Sequence, residues 1–327
     1  MATDKSNKSP VQVESDTFAK DQEPASTGLQ LGRRHQSMLD DWMEIEREDA
    51  VSANALGYMG RILAQATLPH QDPKLPQGTM YSRTTGRLTL NIVATTRKYG
   101  IPYGSIPRVL LAWICTEAVK TKNRQLDLGR SQAEFLKRLG LHTGGADITR
   151  FKKQAMSLFR AMISVEFDGD DESQDESLRL PISSQDKVFW HSDPTVQTLW
   201  DNSLLLTTEF FQEVTQQAVP MDLRVYHALS KSPLAMDIYT WLTYRMFVLR
   251  HSRRTEAKIP WVGLKAQFGG GYADTPAGMR SFRYYFQKRL NEVLVFYPEA
   301  RGHVQPTIQH LVLTPAPLHI PSLMPTR

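Results

Sequence analysis

Cysteine is almost missing from this 327-residue chain: Cys115 is the only one. A single thiol excludes an internal disulfide and falls short of the ligand set a zinc finger needs. It sits inside the apolar run 109–115, where the expected role is that of a small buried hydrophobe. Long apolar stretches are scarce too. That run is the longest, whereas crossing a bilayer takes about 20 residues. The opening MATDKSNKSP has no apolar segment of the kind a secretory signal carries, so a cytoplasmic, non-membrane protein is expected.

Signatures of catalysis are missing as well. The glycine-rich GGGYADTPAG lacks the Lys-Ser/Thr pair that a phosphate-cradling loop uses on nucleotide and magnesium. Its glycines are expected to turn the chain between two helices. None of the nine histidines forms a His-hydrophobic-His pair to hold a metal beside a nucleophilic tyrosine, and Tyr284-Tyr285 alone is no nuclease signature. His303 and His310 fall in the expected last hairpin without further ligands beside them. The expectation is a non-enzyme with no catalytic residue, no metal site and no cofactor.

What the chain does have is an uneven cationic distribution. The net charge is +5, with an isoelectric point near 9.2 and a mean hydropathy of −0.39. Between positions 250 and 289 stand Arg250, Arg253, Arg254, Lys258, Lys265, Arg280, Arg283, Lys288 and Arg289, opposed only by Glu256 and Asp274. Such clustering is the footprint of a polyanion-binding surface.

The segment TPAGMRSFRYYFQKRLNEVLVF, 275–296, organises that charge. Thr275 suits an N-cap and Pro276 the first helical position. At ~100° per residue, Met279, Phe282, Phe286, Leu290 and Val293 share one side. Arg280, Tyr284, Gln287, Lys288 and Asn291 lie opposite, with Arg283 on the flank, and offer groups able to reach phosphates and base edges. Arg289 projects towards the apolar side and is expected to pair internally.

A second copy of the pattern lies upstream. In DITRFKKQAMSLFRAMISVEF, Ile148, Phe151, Ala155, Leu158, Phe159 and Met162 form the stripe, opposite Arg150, Lys153, Gln154 and Ser157. Phe151 aligns with Phe282, Phe159 with Leu290, and 163–165 with 294–296. Each copy follows a short apolar helix ending in a Gly-rich turn, and a long apolar helix precedes each. The order helix, strand, helix, turn, longer helix, hairpin is that of a winged helix-turn-helix, and it occurs twice. The expected fold class is therefore α+β, mainly helical: two tandem winged-helix domains with a disordered N-terminal tail.

The expected boundaries are a disordered tail at 1–32, a helical segment and Pro-rich linker (LPHQDPKLP) at 33–83, and domain 1 at 84–203. Domain 2, with the main DNA contacts, spans 204–317, and a tail spans 318–327. The hairpin built on 163–167 is expected to be the first wing, with the acidic run DGDDESQDE (Asp168 to Glu176) as its tip. Phosphates would repel that tip, so it reads as a solvated loop off the DNA. The binding set expected is Arg280, Arg283, Tyr284, Gln287, Lys288, Asn291, Arg150, Lys153, Gln154, Arg253, Arg254 and Lys265.

The segment GIPYGSIPRVLLAWICTEAVKTKNRQLDLGRSQAEFLKRLGLHTGG, together with LPH (68–70), FW-H-P (189–194), SPLAMDIYTWLTYR (232–245), IPWVGLKAQFG (259–269) and FYPEA (296–300), resembles the plasmid-encoded RepA family of replication initiators (RepA/TrfA type). One departure is Gly144-Gly145-Ala146-Asp147, where the family pattern has a basic and an aromatic residue. The resemblance implies a bacterial, plasmid- and nucleoid-associated protein that binds repeated double-stranded sites (iterons) at an origin. It also implies help in opening the origin, recruitment of a host initiator ATPase of the DnaA type and the replicative helicase, and copy control through dimer–monomer exchange. A winged-helix transcriptional repressor and a strand-nicking replication enzyme are the alternatives.

Overall fold

The computed structural model of the chain describes residues 33–76, 78–168, 176–188, 202–252 and 254–321. The expected disordered tail and the FW-H-P motif lie outside these residues, as does nearly all of the acidic run.

The N-terminal segment supplies α1 (Arg33–Ile45), β1 (Leu56–Gly60), α2 (Arg61–Gln65), β2 (Met80–Thr85) and β3 (Leu88–Ala94). The first unit follows with α3 (Ser105–Thr121), β4 (Gln125–Asp127), α4 (Gln132–Arg138), α5 (Gly145–Phe159), β5 (Ala161–Phe167), β6 (Glu176–Arg179), β7 (Ser183–Lys187) and β8 (Ser203–Leu206). A bridge of α6 (Thr208–Gln216), β9 (Ala218–Asp222) and α7 (Leu223–Ala228) leads to the second unit. That unit comprises α8 (Pro233–His251), β10 (Ala257–Pro260), α9 (Trp261–Phe268), α10 (Pro276–Phe296), β11 (Val304–Pro306) and β12 (His310–Leu313). The architecture is mixed α+β and mainly helical. Among the described residues no helix is long and apolar enough to cross a membrane.

Helix starts follow the sequence signals. Ser131, Thr207, Ser232 and Thr275 each accept a hydrogen bond from the amide three residues on, which satisfies one of the free donors of the first turn. α3 and α8 are apolar around most of their circumference, and most of their side chains are buried. Cys115 lies at the centre of α3, fully buried, and burial pushes its thiol up to about 12.

The repeat holds in the order of elements and in one sheet. In the second unit β10, β12 and β11 pair in that spatial order, all antiparallel. In the first, β4, β8 and β7 pair in the same order. The hairpin equivalent to β11–β12 is therefore β7–β8, and the expected assignment to 163–167 is corrected. β5 does pair with β6 across the acidic run, but both belong to a separate sheet ordered β2-β3-β5-β6. The alignment of 163–165 with 294–296 is corrected with it. The former is strand because β3 offers it a full ladder, while the latter remains helical to Phe296. Met162, placed on the apolar stripe by period, points out from β5 at 39% exposure. Hydrogen bonding carries the first unit through Leu206, since β8 closes its sheet.

The segment 33–83 is more than a helix and a linker. β1 pairs with β9 from Leu56↔Asp222 to Gly60↔Ala218. α1 is tied to α10 by Arg34, which donates to the buried Glu292 at 2.8 Å. The first half of LPHQDPKLP is built into the core. Arg108, on α3 and 2% exposed, grips Asp237 of α8 with two bonds of 2.7 Å. Its remaining donors reach the carbonyls of Leu68 (2.6 Å), Pro69 (3.2 Å) and Gly104 (2.7 Å). His70 Nε2 meets Asp237 Oδ2, the oxygen that Arg108 Nη2 also contacts, at 2.7 Å. Burial pushes the Asp237 carboxyl up, but Arg108 and His70 outweigh it and hold the group below the usual carboxylate range. This clamp joins the opening helices of the two units. A proline-rich stretch suits it because its extended backbone leaves carbonyls free for a buried guanidinium.

The end of the expected second domain and the start of the expected C-terminal tail are also partly core. Ala316 and Ile320 are buried, the Tyr297 hydroxyl donates to the Pro317 carbonyl at 2.6 Å, and the His319 ring packs against Tyr239 and Tyr297.

Candidate nucleic-acid interface

α10 divides into two faces as its period requires. Phe282, Phe286, Leu290 and Val293 are fully buried. Phe286 meets Trp261 edge-on at 5.9 Å and lies 5.6 Å from Phe268, so α9 and α10 share one aromatic core. Close approach at the turn between them needs glycine. A Cβ at Gly278 would stand 2.1 Å from the Ala273 carbonyl oxygen, and one at Gly269 would stand 2.8 Å from that of Lys265.

On the opposite face Arg280, Tyr284, Lys288 and Asn291 are exposed, Tyr284 at 62%. Arg283 and Gln287 are half-buried because the β11–β12 hairpin rises beside them. Arg283 stacks over Trp261, its guanidinium carbon 5.0 Å from the ring centre, and donates to the Thr307 carbonyl at 3.2 Å. It therefore fixes the hairpin to the helix as well as adding charge. Arg289 lies on the core side and pairs with Glu292, as its position in the helical period requires.

Two expected contacts are corrected. Gln154 is buried, and its side-chain oxygen accepts from the Tyr103 amide at 2.9 Å. α5 is covered on nearly every side beyond its second turn, so a face that period alone leaves open is closed by the neighbouring loop. Ser157, on the same side, is buried too. Lys265 is 9% exposed and its ammonium bonds the Asp274 carboxylate, whose pKa is lowered by that bond. It braces the loop between α9 and α10 instead of facing outward. Arg150 and Lys153 are exposed near the start of α5. Arg150 is paired with Asp147 at 3.1 Å, so the departure at 144–147 reduces the free charge at that helix end. Arg254 is exposed in the loop after α8, and Arg253 lies outside the described residues.

Sequence periodicity missed the hairpin tip. Thr307, Ile308, Gln309 and His310 line a groove of about 720 Å³ with Arg283, Gln287 and Pro306. A Pro-Thr pair entering a short turn between two strands was the available signal. Periodicity also missed Arg83 of β2, which crosses to the second unit and donates to the carbonyl of Gln267 in α9 at 2.7 Å.

These features define a mixed, mainly helical α+β protein. It has two repeated helical units clamped together, one of them presenting a cationic helix face beside a hairpin. Residues 101–262 match the family described as plasmid encoded RepA protein. The match covers just under half of the chain and falls on the family that the sequence motifs resemble. The matched span contains both clamp residues, Arg108 and Asp237, and stops before α10. No curated protein sequence matches the chain. Two solved structures of domains 2 and 3 of RctB are similar to it. One has a TM-score of 0.49 and 12% identity, covering 78% of this chain and 96% of that one. The other has a TM-score of 0.42 and 14% identity, covering 75% and 84%.

Proposed function

We propose that this chain is a plasmid replication initiator that binds repeated double-stranded DNA sites through two tandem winged-helix domains, the second making the main contacts. The carrying observation is α10. Its exposed side holds Arg280, Tyr284, Lys288 and Asn291, and its other side is anchored by four fully buried side chains. A helix held this firmly can enter a major groove and present its N-terminal residues to base edges. Arg280 is the reader in that arrangement, Lys288 and Asn291 contact phosphate, and Arg150, Lys153 and Arg254 add weaker phosphate contacts.

Binding of this kind is stoichiometric and needs no catalytic group. Several copies on adjacent repeats would strain the neighbouring AT-rich duplex, and a host initiator ATPase and helicase would complete the opening. Self-association between copies would set plasmid copy number. The test is a footprint on the DNA flanking the chain's own gene, together with replication of that segment in a host lacking the plasmid. Repeated protected sites and autonomous replication are the expected results. Protection of a promoter without replication would instead make the protein a repressor. Nicking of supercoiled DNA with magnesium would make it an enzyme.

A further inference from the structure

The tip of the β11–β12 hairpin combines two features that rarely occur together. Ile308 is 85% exposed, more than any other large hydrophobic side chain among the described residues. The turn that displays it is rigid. The Thr307 amide donates to the His310 carbonyl at 2.8 Å, while the Thr307 hydroxyl donates to the same carbonyl and accepts from the His310 amide. The Thr307 carbonyl accepts from the indole of Trp261 at 2.9 Å as well as from Arg283, and the Gln309 carbonyl accepts from the Trp261 amide at 3.2 Å. The fold thus holds a stiff β-branched side chain out in solvent.

We propose that Ile308 is an apolar wedge that enters the minor groove of duplex DNA and partly unstacks one base step. This rests on the reading of α10 as a major-groove helix and adds a second element to it. With α10 in the major groove, the groove between Arg283, Gln287 and the hairpin is the track for one sugar-phosphate strand, with Arg283 and His310 on its walls and the largely exposed Ile308 at its edge. The hairpin tip then stands on the far side of that strand, in the adjoining minor groove. Exposed isoleucines there part base steps and kink the duplex. Gln309, next in the turn, is of the type that reads the minor-groove pattern of A·T pairs. An initiator so equipped bends and loosens DNA at each site it occupies.

The test uses the full-length protein and a duplex it selects from a random pool, with 2-aminopurine substituted in turn for each adenine. Wild type should raise the fluorescence several-fold at one step beside the α10 contact. Ile308→Ala should abolish that rise and weaken binding by about tenfold, with an unchanged melting temperature, and Ile308→Phe should restore the signal. Failure to select any duplex overturns this proposal and the DNA-binding reading together. Selection with no fluorescent step, or an Ile308→Ala protein that keeps the wild-type signal and affinity, overturns the wedge alone. So does a change in oligomeric state by light scattering with DNA binding intact, which would make the tip a contact between copies of this chain.

Discussion

Asp237→Ala is the most informative perturbation of the fold. It leaves the Arg108 guanidinium buried at 2% exposure with no carboxylate. Breaking a buried ion pair from one side costs about 3–5 kcal/mol, because the surviving charge stays desolvated. Here the carbonyls of Leu68, Pro69 and Gly104 still accept from Arg108. The lower end, about 3 kcal/mol, is therefore expected. Arg108→Met should cost a similar amount, since it strands Asp237 with His70 alone and takes the guanidinium donor from the carbonyls of Leu68, Pro69 and Gly104. Once either partner is gone, removing the second loses little more. The double variant should fall short of the sum of the singles by roughly 2–3 kcal/mol. Urea unfolding followed by circular dichroism measures all four species. A second readout comes from the position of the pair between α3 and α8: Asp237→Ala should split one transition into two as the units uncouple. Additivity within about 0.5 kcal/mol, with a single transition retained, would refute the clamp.

Phe286→Ala should destabilise the second unit by about 3–5 kcal/mol, whereas Lys288→Ala should leave the melting temperature nearly unchanged and weaken DNA binding; equal thermal losses would show the helix phase to be wrong. With about six phosphate contacts the log–log salt slope of binding should lie near −5, and Arg280→Ala should abolish preference at one base pair, where a uniform loss over all single-base variants would reduce it to a phosphate contact. Burial pushes His319 down to about 4, and its Nε2 is enclosed without a hydrogen-bond partner. A histidine kept neutral in the fold but protonated on unfolding contributes stability that is full above about 6.5 and lost as pH falls towards the folded value. Stability should therefore decline between pH 6.5 and 4, and His319→Phe should flatten that decline in denaturant titrations at each pH.

The elements that announced themselves in the sequence are those whose pattern is local. α10 could be read from a cap, a proline and the 3.6-residue period of Phe282, Phe286 and Leu290, and its cationic face came with it. The repeated order of helices was legible for the same reason. What escaped depended on partners distant in the chain. β5 became a strand because β3 lies beside it, and Gln154 was buried by a loop that no period reports. The linker reading of LPHQDPKLP failed because prolines mark a break in regular structure and say nothing about which buried cation will use the freed carbonyls. Lys265 looked available until the turn folded Asp274 back onto it. The hairpin tip was legible as a turn, but its display of Ile308 depends on Trp261 and Arg283, 47 and 25 positions earlier.

The pairing of β1 with β9 bears on how the chain is made. Leu56 faces Asp222 across the ladder, so the strand emerges from the ribosome with its partner some 166 residues behind it. At about 5–20 residues per second, the wait is roughly 10–30 s. Through that interval α2 and β1 have only the first unit to lean on, and the apolar side chains of Met59 and Ile62 lack their final cover. Such long-range pairings slow folding and leave early segments open to association with other nascent chains. A fragment beginning at Thr207 would meet the same problem from the other side, with β9 deprived of the strand it pairs with. Isolating the second unit would therefore require residues 56–70 to be supplied as a separate peptide or spliced ahead of it.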